Sequence, residues 1–187
     1  DEKNFNQIKS TADQYQIPII EDCAQAFGSV GSISRAPAGS FGEISCISFD
    51  PTKVISALGS GGIFLTDIEE HARHARQLRY HGKDQSGVFE TLGFNSQMPA
   101  TTAASLIVKL ANDRDWRARR QAIAKTYINN FRDLPVKLPM VEDIESHNYH
   151  KFVVLLEQRA KAYERLRQSG VQVMIHYRDP LPNHKTF

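Results

Sequence analysis

Lys53 and Asp22 are the two residues of this chain whose types and settings allow covalent chemistry between them. Lys53 closes the stretch Ser45-Cys-Ile-Ser-Phe-Asp-Pro-Thr-Lys53, in which Ile44 to Phe49 reads as a short buried strand. Pro51 stops that strand, because proline brings no N–H and the residue before it avoids helical angles. Gly59, Gly61 and Gly62 then permit a turn that side chains would block. Asp22 ends a second apolar run, Ile17-Pro-Ile-Ile-Glu-Asp22, where it opens into the small residues Cys23 to Ala26. The mouth of a strand is where open α/β sheets carry working residues. A lysine nucleophile and a buried aspartate are what pyridoxal 5'-phosphate requires: the amine holds the aldehyde as a Schiff base, and the carboxylate keeps the ring nitrogen protonated. A solvated loop lysine is the plain alternative for Lys53.

The elements that must position this pair follow from the pattern. Phe5, Ile8, Ala12 and Tyr15 share one helical face, so 4–15 reads as a helix capped by Asn4. It leads into the Pro18–Asp22 strand, a helix–strand step with no earlier strand before it, so the chain is expected to open inside a fold. The Gly- and Ser-rich segment 28–42 returns the chain to the second strand, which places Cys46 and Ser48 on one face. Gly62 to Thr66 reads as a third strand, and Asp67 as the cap of a helix from about Ile68 to Arg79. A long loop, 80–98, follows, of a length usually reserved for function. Helices are expected over about Ala100–Asn112 and Asp115–Arg132, the second burying Trp116, Ile123, Tyr127 and Phe131 and leaving Arg117, Arg119, Arg120 and Lys125 wet. Leu134-Pro-Val-Lys-Leu-Pro139 reads as a linker. Beyond it, a strand over Lys151–Glu157, a helix over Arg159–Ser169 and a strand over Val171–His176 suggest the opening of a second domain.

Composition excludes several classes. With 187 residues, 41% hydrophobic and 24% charged, the chain can bury a core. A net charge of +2 is too mild to argue for nucleic acid. No apolar run approaches the roughly 20 residues of a membrane span, and the polar start does not resemble a signal peptide. Cys23 and Cys46 fall in or beside buried strands and read as free thiols of a cytoplasmic protein. His71 and His74 are spaced for a metal on one helix but lack a further ligand, so no metal is expected.

The segments IIEDCAQAFGS, GSFGEISCISFDPTK, GSGGIFLTD, LRYHG, GFNSQM and VQVMIHY occur in the order seen in the DegT/DnrJ/EryC1/StrS family, which the chain resembles over nearly its whole length. The resemblance implies an α/β, fold-type I enzyme: part of a large mixed-sheet, pyridoxal phosphate-binding domain (about 1–134) and the beginning of a small α+β C-terminal domain (about 140–187). It implies transfer of an amino group from an amino acid, glutamate, to a nucleotide-linked keto-sugar. Lys53 and Asp22 would be catalytic. Gln25 would bond the cofactor's phenolic oxygen and Ser48 its phosphate, although a plain loop amide and a backbone-bonded serine remain open for them. Asn95 would reach the cofactor phosphate of a second subunit, implying a homodimer with shared sites. His176 and Tyr177 match a pair near substrate in the family, with a structural histidine as the alternative. Gln97 stands where the family pattern has arginine, and Thr101-Thr102 where many relatives have Leu-Gln. Within the family, sugar dehydratases that use the aminated cofactor carry histidine at the lysine position, and some members act on cyclitols. A regulatory protein that kept the fold is the rival of another class. The resemblance also implies that an N-terminal part supplies one wall of the pocket, so the chain alone is expected to be poorly soluble and inactive.

Overall fold

The computed structural model describes residues 2–141 and 143–186. They form two compact units: one runs through Asn130 and includes Met140–Phe152, and the other comprises Phe131–Pro139 and the residues from Val153 on.

The first unit is built on a mixed three-stranded sheet of order β1-β2-β3, with β1 at Ile20–Asp22, β2 at Ile44–Ser48 and β3 at Gly62–Leu65. β1 runs parallel to β2, Ile20 opposite Ile44 and Asp22 opposite Cys46. β3 runs antiparallel to β2, from Ser45 opposite Leu65 to Ser48 opposite Gly62. Alternation along β2 buries Ser45 and Ile47 on one face and turns Cys46 to the other. The buried Ser45 hydroxyl donates to the Gly39 carbonyl at 2.9 Å, which offsets its desolvation. On that face Cys23, Ile47, Phe49, Ile55, Ala57 and Leu106 form the core, with Phe27 and Met98 packed on it. Each large side chain buried there contributes about 1.5–3 kcal/mol. Cys46 is exposed, not buried as expected, because it stands on the sheet face away from this core.

The described residues form five α-helices: in the first unit α1 (Glu2–Gln14), α2 (Glu69–Arg79), α3 (Ala100–Leu110) and α4 (Asp113–Phe131), whose last residue falls in the second, and in the second unit α5 (Arg159–Gln168). Helix α1 starts ahead of Asn4, so Asn4 lies inside it and does not cap it. Its Phe5 ring meets Phe41 at 5.1 Å, and Ala12 is buried, while Ile8 and Tyr15 stay exposed. At α2 the N-cap position is Ile68, displacing Asp67 from that role. The Ile68 N–H donates to Thr66 Oγ1 at 3.1 Å, which fixes the approach to the helix, and no side chain caps its first turn.

Helix α4 buries its apolar stripe less than expected: Phe131 is half-buried and Tyr127 meets the Phe152 ring at 5.2 Å. Ala124 is its buried residue, and Trp116, Ile123 and Tyr127 are exposed. The inward stripe runs through Asp113, Arg117, Gln121 and Ala124. Arg117 is therefore not on a wet face: it pairs with Asp113 at 3.4 Å and donates to the Gly28 carbonyl. Apolar spacing misleads here because the groove α4 covers is lined by loop carbonyls, which require donors.

The 80–98 loop is folded back on the end of α2 by bridges Tyr80–Asn95 and Lys83–Phe89. A Cβ on Gly82 would stand 1.8 Å from the Thr91 carbonyl oxygen, and one on Gly93 2.0 Å from the Gly82 nitrogen. Only a glycine pair allows this crossing.

Helix α5 forms as expected, but Lys151–Glu157, which spans the boundary of the two units, and Val171–His176 are not strands. A strand exists through its ladder, and the first segment has a single bridge, Lys137–Leu155. No pairing is recorded for Val171–His176 among the described residues. Nor is any described helix long and apolar enough to cross a membrane.

Candidate active site

Because β1 and β2 are parallel, their carboxyl ends open on one edge, and that edge receives Asp22, Ser48 and the turn bearing Lys53. Asp22 is exposed where a buried carboxylate was expected, since among the described residues β1 is an edge strand with β2 as its one partner. Its Oδ1 accepts the Ala24 N–H at 3.0 Å, a turn that aims the carboxylate along the edge.

Lys53 sits on a loop closed upon itself. The Phe49 N–H donates to the Gly61 carbonyl at 2.8 Å, and the Ala57 N–H donates to the Phe49 carbonyl at 2.8 Å. Within the loop, Ile55 and Ala57 plug into the core. Asp50 accepts from the Thr52 N–H at 2.9 Å and its hydroxyl at 2.7 Å, which holds the carboxyl below the usual carboxylate range, with the Lys53 charge a lesser cause. The Lys53 N–H donates to the Asp50 carbonyl at 2.9 Å, completing the turn. Ser48 Oγ accepts the Asp50 N–H at 3.2 Å, so the backbone-bonded state foreseen for it is present, and its own hydrogen remains available to donate.

Residues that the sequence reading passed over hold this edge in place. Lys109 Nζ donates to the Ser56 carbonyl and, at 2.9 Å, to its hydroxyl. Thr102 Oγ1 donates to the Leu58 carbonyl at 3.1 Å. Thr102, Leu106 and Lys109 are spaced four and then three apart, one face of α3, and that spacing was the available signal. The Glu21 carboxylate accepts from the N–H groups of Gly39, Phe41 and Gly42 at 3.2, 2.7 and 2.8 Å and so fixes the return loop into β2.

The remaining predicted residues are placed as follows. Gln25 follows β1 with its side chain exposed and its carbonyl bound by Asn148. Asn95 is exposed in the 80–98 loop, bridged to Tyr80, and no hydrogen bond or ion pair among the described residues joins it to Asp22, Ser48 or Lys53. His176 and Tyr177 lie in the second unit, exposed, with ring centroids 5.1 Å apart. Among the described residues no cluster of His, Cys, Asp and Glu could hold a metal.

The donor set suits pyridoxal phosphate. A carboxylate with one oxygen uncommitted matches a protonated ring nitrogen, a hydroxyl with a free hydrogen matches a phosphate, and a flexible primary amine matches an aldehyde. All three stand on one sheet edge.

Comparison with known proteins bears on the family and the fold. The family model described as the DegT/DnrJ/EryC1/StrS aminotransferase family matches residues 2–187. The chain is 35% identical over 182 residues to the erythromycin biosynthesis sensory transduction protein EryC1 of Saccharopolyspora erythraea, covering 97% of this chain and 49% of that protein. It is 33% identical over 182 residues to a dTDP-3-amino-3,4,6-trideoxy-alpha-D-glucose transaminase of Streptomyces venezuelae, covering 97% and 47%. Its fold matches the crystal structure of S. venezuelae DesV in complex with a ketimine intermediate, with a TM-score of 0.89 and 32% identity over 97% of this chain and 48% of that one. The chain thus spans about half the length of the curated relatives it matches. Its fold is that of part of an α/β aminotransferase, and the chain belongs to the DegT/DnrJ/EryC1/StrS aminotransferase family.

Proposed function

We propose that the protein containing this chain is a pyridoxal phosphate-dependent aminotransferase of the cytoplasm, carrying an amino group from glutamate to the ketone of a nucleotide-linked keto-sugar. The observation that carries the reading is the shared carboxyl edge of β1 and β2, with Asp22 at one strand end and Lys53 on a braced loop at the other. The transaminase among its relatives supports the substrate class.

Asp22 would hold a proton on the ring nitrogen through its uncommitted oxygen, and Ser48 Oγ would donate to the phosphate. Gln25 would donate from its amide to the phenolic oxygen. When bound, pyridoxal phosphate supplies an electron sink that makes a neighbouring C–H bond acidic. Lys53 Nζ would bind the aldehyde carbon and, once displaced by the incoming amine, accept and return the proton at that C–H bond. Asn95 would serve the site of a second copy in a homodimer, and His176 with Tyr177 the sugar. We take 1–134 and 140–187 as the limits of the two domains.

Isotopically labelled glutamate, offered to the full-length protein with a panel of nucleotide-linked keto-sugars and keto-cyclitols, tests the reading. Label in the sugar is expected. Deoxygenation of the sugar without incorporated nitrogen would identify a dehydratase, label in a cyclitol would move the substrate class, and no turnover would favour a regulatory protein.

A further inference from the structure

The turn that follows Asp22 is held from outside. Asn148, only 3% exposed, comes from a segment more than a hundred residues further along the chain. Its Nδ2 donates to the Gln25 carbonyl at 2.8 Å and to the Phe27 carbonyl at 2.9 Å. Its Oδ1 accepts the His150 N–H at 3.0 Å, and its own N–H donates to Ser29 Oγ at 3.1 Å. Every polar group of this side chain is therefore engaged. Arg117 takes the next carbonyl, that of Gly28, so three carbonyls of one turn accept from side chains. The turn's own bonds are short-range: the Ala26 N–H donates to the Cys23 carbonyl at 3.0 Å and the Ser29 N–H to the Ala26 carbonyl at 2.9 Å, and neither engages the carbonyls of Gln25, Phe27 or Gly28. Phe27 meets the Phe49 ring at 5.8 Å, which ties the far end of the turn to the core beneath the Lys53 loop.

We propose that Asn148 is a positioning residue for the candidate active site. By gripping the Gln25 and Phe27 carbonyls with two N–H groups of one planar amide, it sets the orientation in which the main chain presents Gln25 and, one turn earlier, Asp22. The inference deepens the aminotransferase reading and rests on it for its catalytic consequence. The grip on the turn is independent of that reading.

Two carbonyls at a fixed spacing need a side chain with two hydrogens on one nitrogen, and at this length only asparagine has them. Aspartate keeps the size and the Oδ1 acceptor but loses both donors. Serine keeps one donor and loses the second.

The test uses the full-length protein, with Asn148→Asp and the milder Asn148→Ser. Amide hydrogen exchange without added cofactor is expected to speed up at Ala24–Ser29 by about tenfold or more, a change matching lost hydrogen bonds, while β2 and α3 keep their protection. With pyridoxal phosphate added, the pH at which the visible band of the lysine-bound cofactor titrates is expected to move, since Asp22 no longer faces the ring nitrogen squarely. The turnover number kcat is expected to fall about tenfold to a hundredfold with KM for glutamate little changed. A purely structural residue would lower thermal stability and leave the band's titration where it was. Unchanged exchange at 24–29 in Asn148→Ser overturns the proposal, as does an unmoved titration with altered exchange. If exchange changes but the parent protein never forms the visible band, the grip stands and the aminotransferase reading falls.

Discussion

At the scale of single residues, the proposed function gives Lys53 and Asp22 separable roles. Lys53→Ala in the full-length protein should lose the visible band and slow turnover by about 10²–10⁴-fold or more, the usual weight of a positioned proton carrier. Asp22→Asn should retain cofactor and lose on the order of a hundredfold in kcat, as for one preorganised electrostatic partner. Absorbance titration beside steady-state kinetics separates the two. The cysteines give a check that needs no cofactor. Burial, with Glu21 and Asp22 nearby, pushes the Cys23 thiol up to about 11. Its ordinary value is 9.0, so its protonated form favours the fold below pH 9.0, and that contribution is lost as pH rises towards about 11. A thiol reagent at neutral pH should label the exposed Cys46 and spare Cys23, as peptide mass mapping would show. His147 is shifted the other way: burial lowers it below 6.5, and its Nδ1 accepts the Tyr149 N–H at 2.9 Å. Stability from the neutral ring is complete above 6.5 and is lost as pH falls through the folded value. His147→Gln should flatten that acid limb in thermal unfolding. These residue identities were legible to different degrees. Lysine after Asp-Pro-Thr and aspartate after an apolar run announce themselves by type and place, whereas Asn148 lies in an unpatterned stretch and gains its meaning only from carbonyls over a hundred residues away.

At the scale of elements, the sheet edge was legible and its bracing was not. The strands at 20–22, 44–48 and 62–65 fall inside apolar runs ended by Pro51 and Asp67, so period and breakers sufficed. α4 misled because the stripe of Trp116, Ile123 and Tyr127, a true helical pattern, stays partly exposed, while Arg117 turns in to satisfy a loop carbonyl. Segments 151–157 and 171–176 have strand-like composition, yet strand formation is decided by a partner, which single-segment reading cannot supply. Lys109 also escaped notice, being a lone cation at the end of an apolar helix. Lys109→Met should leave the Ser56 carbonyl without its donor and cost about 1–3 kcal/mol in chemical unfolding. It should also loosen 53–58 in hydrogen exchange before any other segment. Gly82→Ala should be harsher, because the new Cβ collides with the Thr91 carbonyl at a backbone φ of +77°. A loss of about 3 kcal/mol or more is expected from overpacking and strain together.

At the scale of the whole molecule, much apolar surface is open: Ile20, Ile63, Phe64 and Leu65 on the sheet, and Phe89, Leu92 and Phe94 in the 80–98 loop. A homodimer with Asn95 serving the neighbouring site predicts complementation. Mixed dimers of Asn95→Ala and Lys53→Ala subunits should regain up to about a quarter to a half of parental activity, because a symmetric pair then holds one site with both residues intact. Verified mixed dimers without recovery would remove Asn95 from a shared site. The family resemblance was legible over the full chain through ordered motifs, but motif order says nothing of which loop carbonyls need holding.

The central claim is that Lys53 is the residue that bonds the cofactor. Its most direct measurement is borohydride reduction of the full-length protein loaded with pyridoxal phosphate, which turns a lysine–cofactor bond into a stable amine, followed by mass mapping of the peptides. The added mass is predicted on the peptide containing Ser48 and Lys53, in near-stoichiometric yield, and absent after Lys53→Ala. Modification at Lys109 or at scattered surface lysines, with the peptide of Lys53 unlabelled, would contradict it.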